Sequence, residues 1–111
     1  MYTYRCIINR VVDGDTVDID LDLGFGIWLR NERVRIVGID TPETRTRDLE
    51  EKKLGLAATD RAKELLAEGS EQILLSKDFK GKFGRILGDF KLGDTTFSQT
   101  MLNENHAVVY K

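Results

Sequence analysis

Two periodicities of apolar residues divide this chain into strands and helices. Between residues 16 and 23 apolar side chains alternate strictly with aspartates, which is typical of a strand with one buried face. Between residues 52 and 68 leucines and alanines recur at helical spacing, and Gly69 follows as a natural helix end. The sequence therefore predicts a half-buried strand and, later in the chain, an amphipathic helix.

Shorter patterns complete the prediction. The further predicted elements are a strand over residues 4–12, a turn at 24–26, one strand or two over 27–39, a hairpin of residues 71–78 and 83–92 around Gly81, and a short helix over 96–104. Many short strands with one intervening helix are typical of a small antiparallel barrel of the OB type. The predicted fold class is mainly β with helices, an α+β arrangement.

Composition limits the domain count and the location. The chain has 111 residues, enough for one compact domain and too few for two, so residues 1–111 are predicted to form a single domain. No run approaches the ~18 apolar residues of a membrane helix, and no membrane partner is expected. The first residues lack a secretory pattern, which predicts a cytoplasmic protein unless a leader was removed from a secreted one.

Charge and cysteine content exclude several classes of site. The net charge is −2, so contact with nucleic acid would need a local basic patch. The basic residues of the predicted hairpin offer such a patch, although they also suit a solvated hairpin. A single cysteine, Cys6, excludes an internal disulfide and a cysteine-rich zinc site, and the single histidine, His106, is interpreted as structural.

Two carboxylates lie where strands are predicted to end. Asp15 shares the parity of the apolar positions in its strand, and Asp40 shares the parity of Val34 and Ile36, so both are expected to face inward. An inward carboxylate is costly unless it is paired or bound to a cation. Calcium or magnesium would suit these oxygen ligands, with the backbone carbonyl of Thr41 as a third. The segment DGDT is not an EF-hand loop, and a plain turn is the alternative.

Two arginines lie within apolar strands. Arg35 is in RVRIV and Arg85 is in FGRIL. A guanidinium group offers paired donors that match phosphate oxygens and keeps its charge when it is partly buried. From the residues alone, an internal salt bridge to a carboxylate is slightly the favoured interpretation.

Four blocks of sequence together resemble the staphylococcal nuclease family of calcium-dependent nucleases. The blocks are VVDGDTV at 11–17, RVRIVGIDTPET at 33–44, KFGRIL at 82–87 and NENHAVVY at 103–110. The resemblance implies an OB-type five-stranded antiparallel barrel with flanking helices. It also implies a third, C-terminal helix, which would lie beyond Lys111. Asn105 stands where relatives often have glycine, and asparagine tolerates the left-handed conformation.

The resemblance also implies a set of functional residues, and all of them are present. Calcium ligands are implied at Asp15, Asp40 and Thr41; catalytic roles at Glu43, as general base, and at Arg35 and Arg85, on the phosphate; and substrate contacts at Lys82, Phe83 and Tyr110. The implied reaction is calcium-dependent hydrolysis of DNA or RNA that leaves 3′-phosphate ends, by an expected monomer.

Two other interpretations compete with an enzyme. A non-catalytic nucleic-acid- or protein-binding barrel would be marked by loss of Glu43 or an arginine, and none is lost. A structural calcium-binding domain would leave both arginines without a role. The sequence therefore favours a nuclease.

Overall fold

The fold is a small closed barrel with two helices, seen in a computed structural model that describes residues 2–110 apart from the side chains of Asp78, Phe79 and Lys82. The elements in chain order are β1 (Tyr2–Asp13), β2 (Thr16–Asp22), β3 (Trp28–Ile36), β4 (Ile39–Asp40), α1 (Leu49–Leu65), β5 (Glu71–Lys80), β6 (Ile86–Leu92), β7 (Thr95–Thr96), α2 (Phe97–Asn103) and β8 (Val108–Val109).

Five strands close the barrel in the order β3-β2-β1-β5-β6, and β3 then pairs with β6. Neighbouring strands along this order are antiparallel, whereas the closing pair is parallel, with Val34 opposite Ile86 and Arg35 opposite Leu87. Outside the barrel, β7 extends the sheet from β6, and β4 pairs with β8. The predicted OB-type barrel with flanking helices is confirmed, with one parallel seam that the pattern did not predict.

The core follows the predicted alternation. Val17, Ile19 and Leu21 of β2 are buried, but Leu23 is exposed because the strand ends at Asp22. Phe90 of β6 meets Phe97 of α2 edge to face, with ring centroids 6.4 Å apart. Burial of these side chains is the main favourable term for folding.

Helix α1 begins three residues before the predicted start. The carboxylate of Asp48 accepts hydrogen bonds from the backbone N–H groups of Glu50 and Glu51, which is a side-chain cap of the first turn. The helix buries Gly55, Ala58, Thr59 and Ala62, while its leucines at 54 and 56 are exposed. Small residues on the buried face let α1 approach the barrel closely.

The second hairpin strand, predicted over residues 83–92, starts three residues later at Ile86, whereas α2 lies within the predicted range of 96–104. A 3-10 turn, Lys82–Gly84, joins β5 to β6, and its Phe83 has a positive φ of 63°. Asn105, after α2, also has a positive φ, of 61°, as was expected for asparagine at this position. Neither helix of the described residues combines the length and apolar character needed to cross a lipid bilayer.

Candidate active site

The buried carboxylate of Asp15 joins two loops. It lies between β1 and β2, where its Oδ1 accepts a hydrogen bond from the Thr16 hydroxyl at 3.0 Å. Its Oδ2 accepts two more from Thr41, one from the backbone N–H and one from the hydroxyl, both at 3.1 Å. Gly14 makes this approach feasible, since a Cβ there would lie 2.9 Å from the Thr41 methyl group. The β1–β2 turn and the loop after β4 are therefore held as one unit.

Asp13 and Asp15 compete for a proton. The pKa of Asp13 is raised to about 6, chiefly by burial and in addition by a hydrogen bond with the Asp15 carboxyl and by its charge. Burial also acts to raise the pKa of Asp15, but the hydrogen bond with Asp13 and the charge of Arg35 outweigh this and hold it below its usual value. The pair thus concentrates negative charge at one end of the barrel. A cation placed there would relieve it.

Arg35 connects β3 to β4 and to the C-terminal segment. Its Nη1 donates to the carbonyl oxygens of Ile36 at 2.6 Å and Ile39 at 2.9 Å. Its Nη2 lies 3.5 Å from Oδ2 of Asp15 and 3.4 Å from Oδ1 of Asp40. The guanidinium also lies over the ring of Tyr110, 5.7 Å from its centre. Arg35 is therefore tied to the backbone on one side, while its other nitrogen faces two carboxylates.

The inward orientation predicted for both aspartates holds for Asp15 but is wrong for Asp40. The Asp40 side chain is 51% exposed. Gly38 has a positive φ of 79°, which interrupts the alternation of inward and outward side chains along β3. The two residues of β4 pair instead with β8, where Asp40 lies opposite Val108. Asp40 consequently lies at the rim, beside the exposed Tyr110 segment.

A cleft of about 400 Å³ brings Glu43 and Arg85 together. The residues that line it are Arg10, Val12, Asp13, Thr16, Arg33, Glu43, Thr44, Arg45, Phe83 and Arg85. The Nε of Arg85 is buried and has no hydrogen-bond partner among the described residues. Phe83 is 91% exposed, and its ring lies 5.7 Å from the Arg85 guanidinium. Because buried polar groups are normally hydrogen-bonded, the Arg85 Nε indicates a place for an acceptor.

Glu43 is exposed in this cleft and makes no hydrogen bond or ion pair within the part of the chain that the structure describes. Its backbone is held by α1. A Cβ at Gly55 would lie only 2.7 Å from the carbonyl oxygens of both Pro42 and Glu43. Sequence reasoning missed Gly55, Asp13 and Thr16 as parts of the site. A glycine inside a helical pattern was the available signal for Gly55, since it often marks a close backbone approach.

A larger groove, of about 520 Å³, includes Thr41 and Pro42 at the start of the loop after β4. Asp40, residues 105–108 and three carboxylates near the start of α1, those of Asp48, Glu50 and Glu51, also line it. These carboxylates would repel phosphate. Charge therefore favours the arginine-lined cleft as the place for a nucleic acid backbone.

The predicted site residues form two groups in the structure. Asp15, Arg35, Asp40 and Thr41 meet in one cluster, with Tyr110 against Arg35. Glu43, Phe83 and Arg85 share the neighbouring cleft, and Asp13 and Thr16 line that cleft while contacting Asp15. The side chain of Lys82 lies outside the described residues. The two groups of predicted residues are thus adjacent.

The side chains of Asp15 and Asp40 offer carboxylate oxygens, the type of ligand that a hard cation prefers. Asp15 and Asp40 each place one carboxylate oxygen within 3.5 Å of the same nitrogen of Arg35, so the two side chains lie near each other. Within the described residues no group of three or more His, Cys, Asp or Glu side chains could hold a metal ion. A cation bound by two carboxylates would have to complete its ligands with backbone carbonyls, water or phosphate, as calcium and magnesium do.

Comparisons with known proteins agree with these motifs. A sequence model of the family described as "Staphylococcal nuclease homologue" matches residues 33–111. The chain is 35% identical over 101 residues to a thermonuclease of Staphylococcus intermedius, which covers 91% of the chain and 56% of that protein. A thermonuclease of Staphylococcus hyicus is 31% identical over 105 residues, covering 95% and 57%. The SPbeta prophage-derived endonuclease YokF of Bacillus subtilis is 32% identical over 103 residues, covering 92% and 33%. The chain thus spans about half the length of the two thermonucleases.

Proposed function

This chain belongs to the staphylococcal nuclease family, and on that premise we propose that it is a calcium-dependent endonuclease that hydrolyses DNA or RNA. The names of its relatives, thermonuclease and endonuclease, support a nucleic acid substrate. One observation carries the proposal from the structure itself. The buried Nε of Arg85 lacks a partner among the described residues, and the Arg85 residue borders the same cleft as Glu43, which is exposed.

The two arginines would bind the scissile phosphate. Arg85 offers a donor that no described group occupies, and a phosphate oxygen would satisfy it. Arg35 keeps Nη1 on the backbone, but its Nη2 contacts to Asp15 and Asp40 are long, at 3.5 and 3.4 Å. The N–H groups of that nitrogen would therefore be available to a stronger acceptor placed beside them. Donors fixed in this way stabilise the negative charge that grows on the phosphate oxygens during attack.

Glu43 would act as the general base. It takes a proton from the attacking water, whose oxygen bonds to phosphorus while the bond from phosphorus to the 5′ oxygen breaks. The leaving 5′ oxygen takes up a proton from solvent water, so the products are a 3′-phosphate and a 5′-hydroxyl. The close packing of Gly55 under the Glu43 backbone supports this role, because a general base must be held in position.

Asp15, Asp40 and the Thr41 carbonyl would hold calcium. The bound ion would neutralise charge that develops on the phosphate. The crowded carboxyls of Asp13 and Asp15 support a cation at this place, because they leave excess negative charge there. Phe83 and Tyr110, both exposed, would contact the substrate, and we expect the same of Lys82.

A non-catalytic barrel that binds nucleic acid or protein is the second candidate. The hydrogen bonds from Arg35 to the carbonyl oxygens of Ile36 and Ile39 favour this candidate. An arginine that holds β3, β4 and the C-terminal segment together has a structural role even in a protein that catalyses no reaction. The two candidates make different predictions for Glu43.

The test compares the parent chain with Glu43→Gln. Plasmid DNA and a single-stranded RNA are incubated with calcium, with magnesium and with a chelator. We expect the parent to cleave with calcium but not with magnesium or with the chelator. Glu43→Gln should cleave about 10²–10⁴-fold more slowly while its nucleotide binding is unchanged. Equal rates for the two proteins would show that Glu43 is not the base. No cleavage by either protein, with nucleotide binding intact, would favour the binding module.

A further inference from the structure

A row of charged side chains crosses three strands beside the cleft. Arg10 of β1 lies opposite Asp18 of β2, and Asp18 lies opposite Arg33 of β3. Directly opposite residues project from the same face of a sheet. Arg33 donates hydrogen bonds to both carboxylate oxygens of Asp18, from its Nε at 2.9 Å and from its Nη2 at 3.2 Å. Arg10 is therefore left without a carboxylate partner among the described residues, although it faces one across the strands.

Arg45 also has no carboxylate partner among the described residues. It follows Glu43 in the loop after β4, is exposed, and makes no ion pair or hydrogen bond to any residue that the structure describes. It borders the cleft together with Arg10 and Arg85. Three guanidinium groups without carboxylate partners, counted over the described part of the chain, thus converge on a cleft whose own carboxylates are Glu43 and Asp13. Such an arrangement favours an anionic ligand that extends beyond a single phosphate.

We propose that Arg10 and Arg45 form a second phosphate subsite, which binds the phosphodiester next to the scissile one. The inference rests on the proposed function, in which Arg85 and Glu43 hold the scissile phosphate. The exposed ring of Phe83, at the border of the same cleft, suits stacking on the base between the two phosphates. A substrate with two or more linkages would then bind more tightly than one with a single linkage.

The experiment measures binding to nucleic acid without cleavage. In a Glu43→Gln background, fluorescence anisotropy gives the Kd of a dithymidylate, which has a single phosphodiester, and of an octathymidylate. We expect the double change Arg10→Gln and Arg45→Gln to weaken octathymidylate binding about 10-fold or more and the dithymidylate far less. The slope of log Kd against log salt for the octamer should fall by about 0.7 for each phosphate that the variant no longer neutralises.

Arg47→Gln is the matched control. It also removes an exposed arginine, two residues after Arg45, but Arg47 does not line the cleft. The control should leave both Kd values unchanged. An equal effect of the double change on dimer and octamer, or an effect no larger than that of Arg47→Gln, would overturn the subsite, as would a failure of the octamer to bind at all.

Cleavage is measured separately on the same substrates with Glu43 restored. If the parent does not cleave while octamer binding depends on Arg10 and Arg45, the subsite stands and the nuclease proposal fails. If the parent cleaves while the double change leaves the ratio of the two Kd values intact, the nuclease stands and the subsite fails. The two proposals are therefore tested by different measurements.

Discussion

Gly55→Ala tests whether helix α1 positions the loop that carries Glu43, the proposed general base. The Cβ would lie 2.7 Å from two backbone carbonyl oxygens, those of Pro42 and Glu43, and 2.9 Å from the Glu43 carbonyl carbon. This is about 0.7 Å inside the distance where ordinary van der Waals contact begins. Backbone atoms cannot rotate away as a flexible side chain can. Either the loop or the helix must therefore shift.

Two effects on stability oppose each other in this variant. Alanine is favoured over glycine inside a helix by about 0.8–1.0 kcal/mol. Forcing a methyl group into a packed site costs about 1–3 kcal/mol. We expect the free energy of unfolding to fall by no more than about 2 kcal/mol. Activity should fall more steeply, up to about 10²-fold, because a displacement of Glu43 by a fraction of an ångström misplaces the base.

The assay combines urea denaturation with initial cleavage rates, and Ala57→Gly is the control. Ala57 is an exposed position of α1, two residues along the helix. That change should cost about 1 kcal/mol of stability and leave the rate intact. If Gly55→Ala instead gains about 1 kcal/mol and keeps full activity, the loop relaxes without consequence and Gly55 does not position Glu43.

Three further outcomes follow from the described contacts. Arg85→Lys should lower single-turnover cleavage about 10²–10³-fold while the melting temperature stays nearly constant, because the Arg85 Nε has no partner among the described residues; early melting with normal cleavage would make Arg85 structural. Calcium with a nucleotide should raise the melting temperature of the parent but not of Asp40→Ala, and calorimetry should show the same loss of calcium binding. A preference for zinc over calcium that survives Asp40→Ala would contradict an oxygen-only site. Burial raises the pKa of the Cys6 thiol from 9.0 to about 12, so the smaller thiolate fraction at pH 8 should make alkylation about 10³-fold slower in the native protein than in urea; rapid native labelling would refute this. The thiol's contribution to stability, complete below pH 9, should be lost as the pH rises towards 12.

Patterns with a fixed period predicted the strands well and the breaks between them poorly. The alternation of β2 correctly predicted that Asp15 is buried. The same reasoning failed for Asp40, because it assumed that β3 continues past Gly38, whose left-handed backbone changes the direction of the chain. The start of α1 was missed because the apolar spacing begins later than the Asp48 cap.

Motifs predicted which residues belong to the candidate site but not how they share charge. The grouping of Asp15 with Thr41, and of Glu43 with Arg85, was expected from the blocks that contain them. The raised pKa of Asp13 depends chiefly on burial, which the sequence does not display. The position of Gly55 under the Glu43 backbone depends on how a helix packs against a loop, and a contact between distant segments leaves only a weak trace in local sequence.

The parallel seam between β3 and β6 sets when the site can appear as the chain folds. Only three residue pairs form it, Val34 with Ile86, Arg35 with Leu87 and Ile36 with Gly88, and the paired strands are far apart in sequence. Such a pairing has to overcome the entropy of closing a long loop before it gains any contact, which makes it a slow step. Arg35 lies within the seam, and Arg85 immediately precedes it. A chain whose hairpins have formed but whose seam is open would contain both arginines but not the fixed spacing between them that the proposed phosphate site requires.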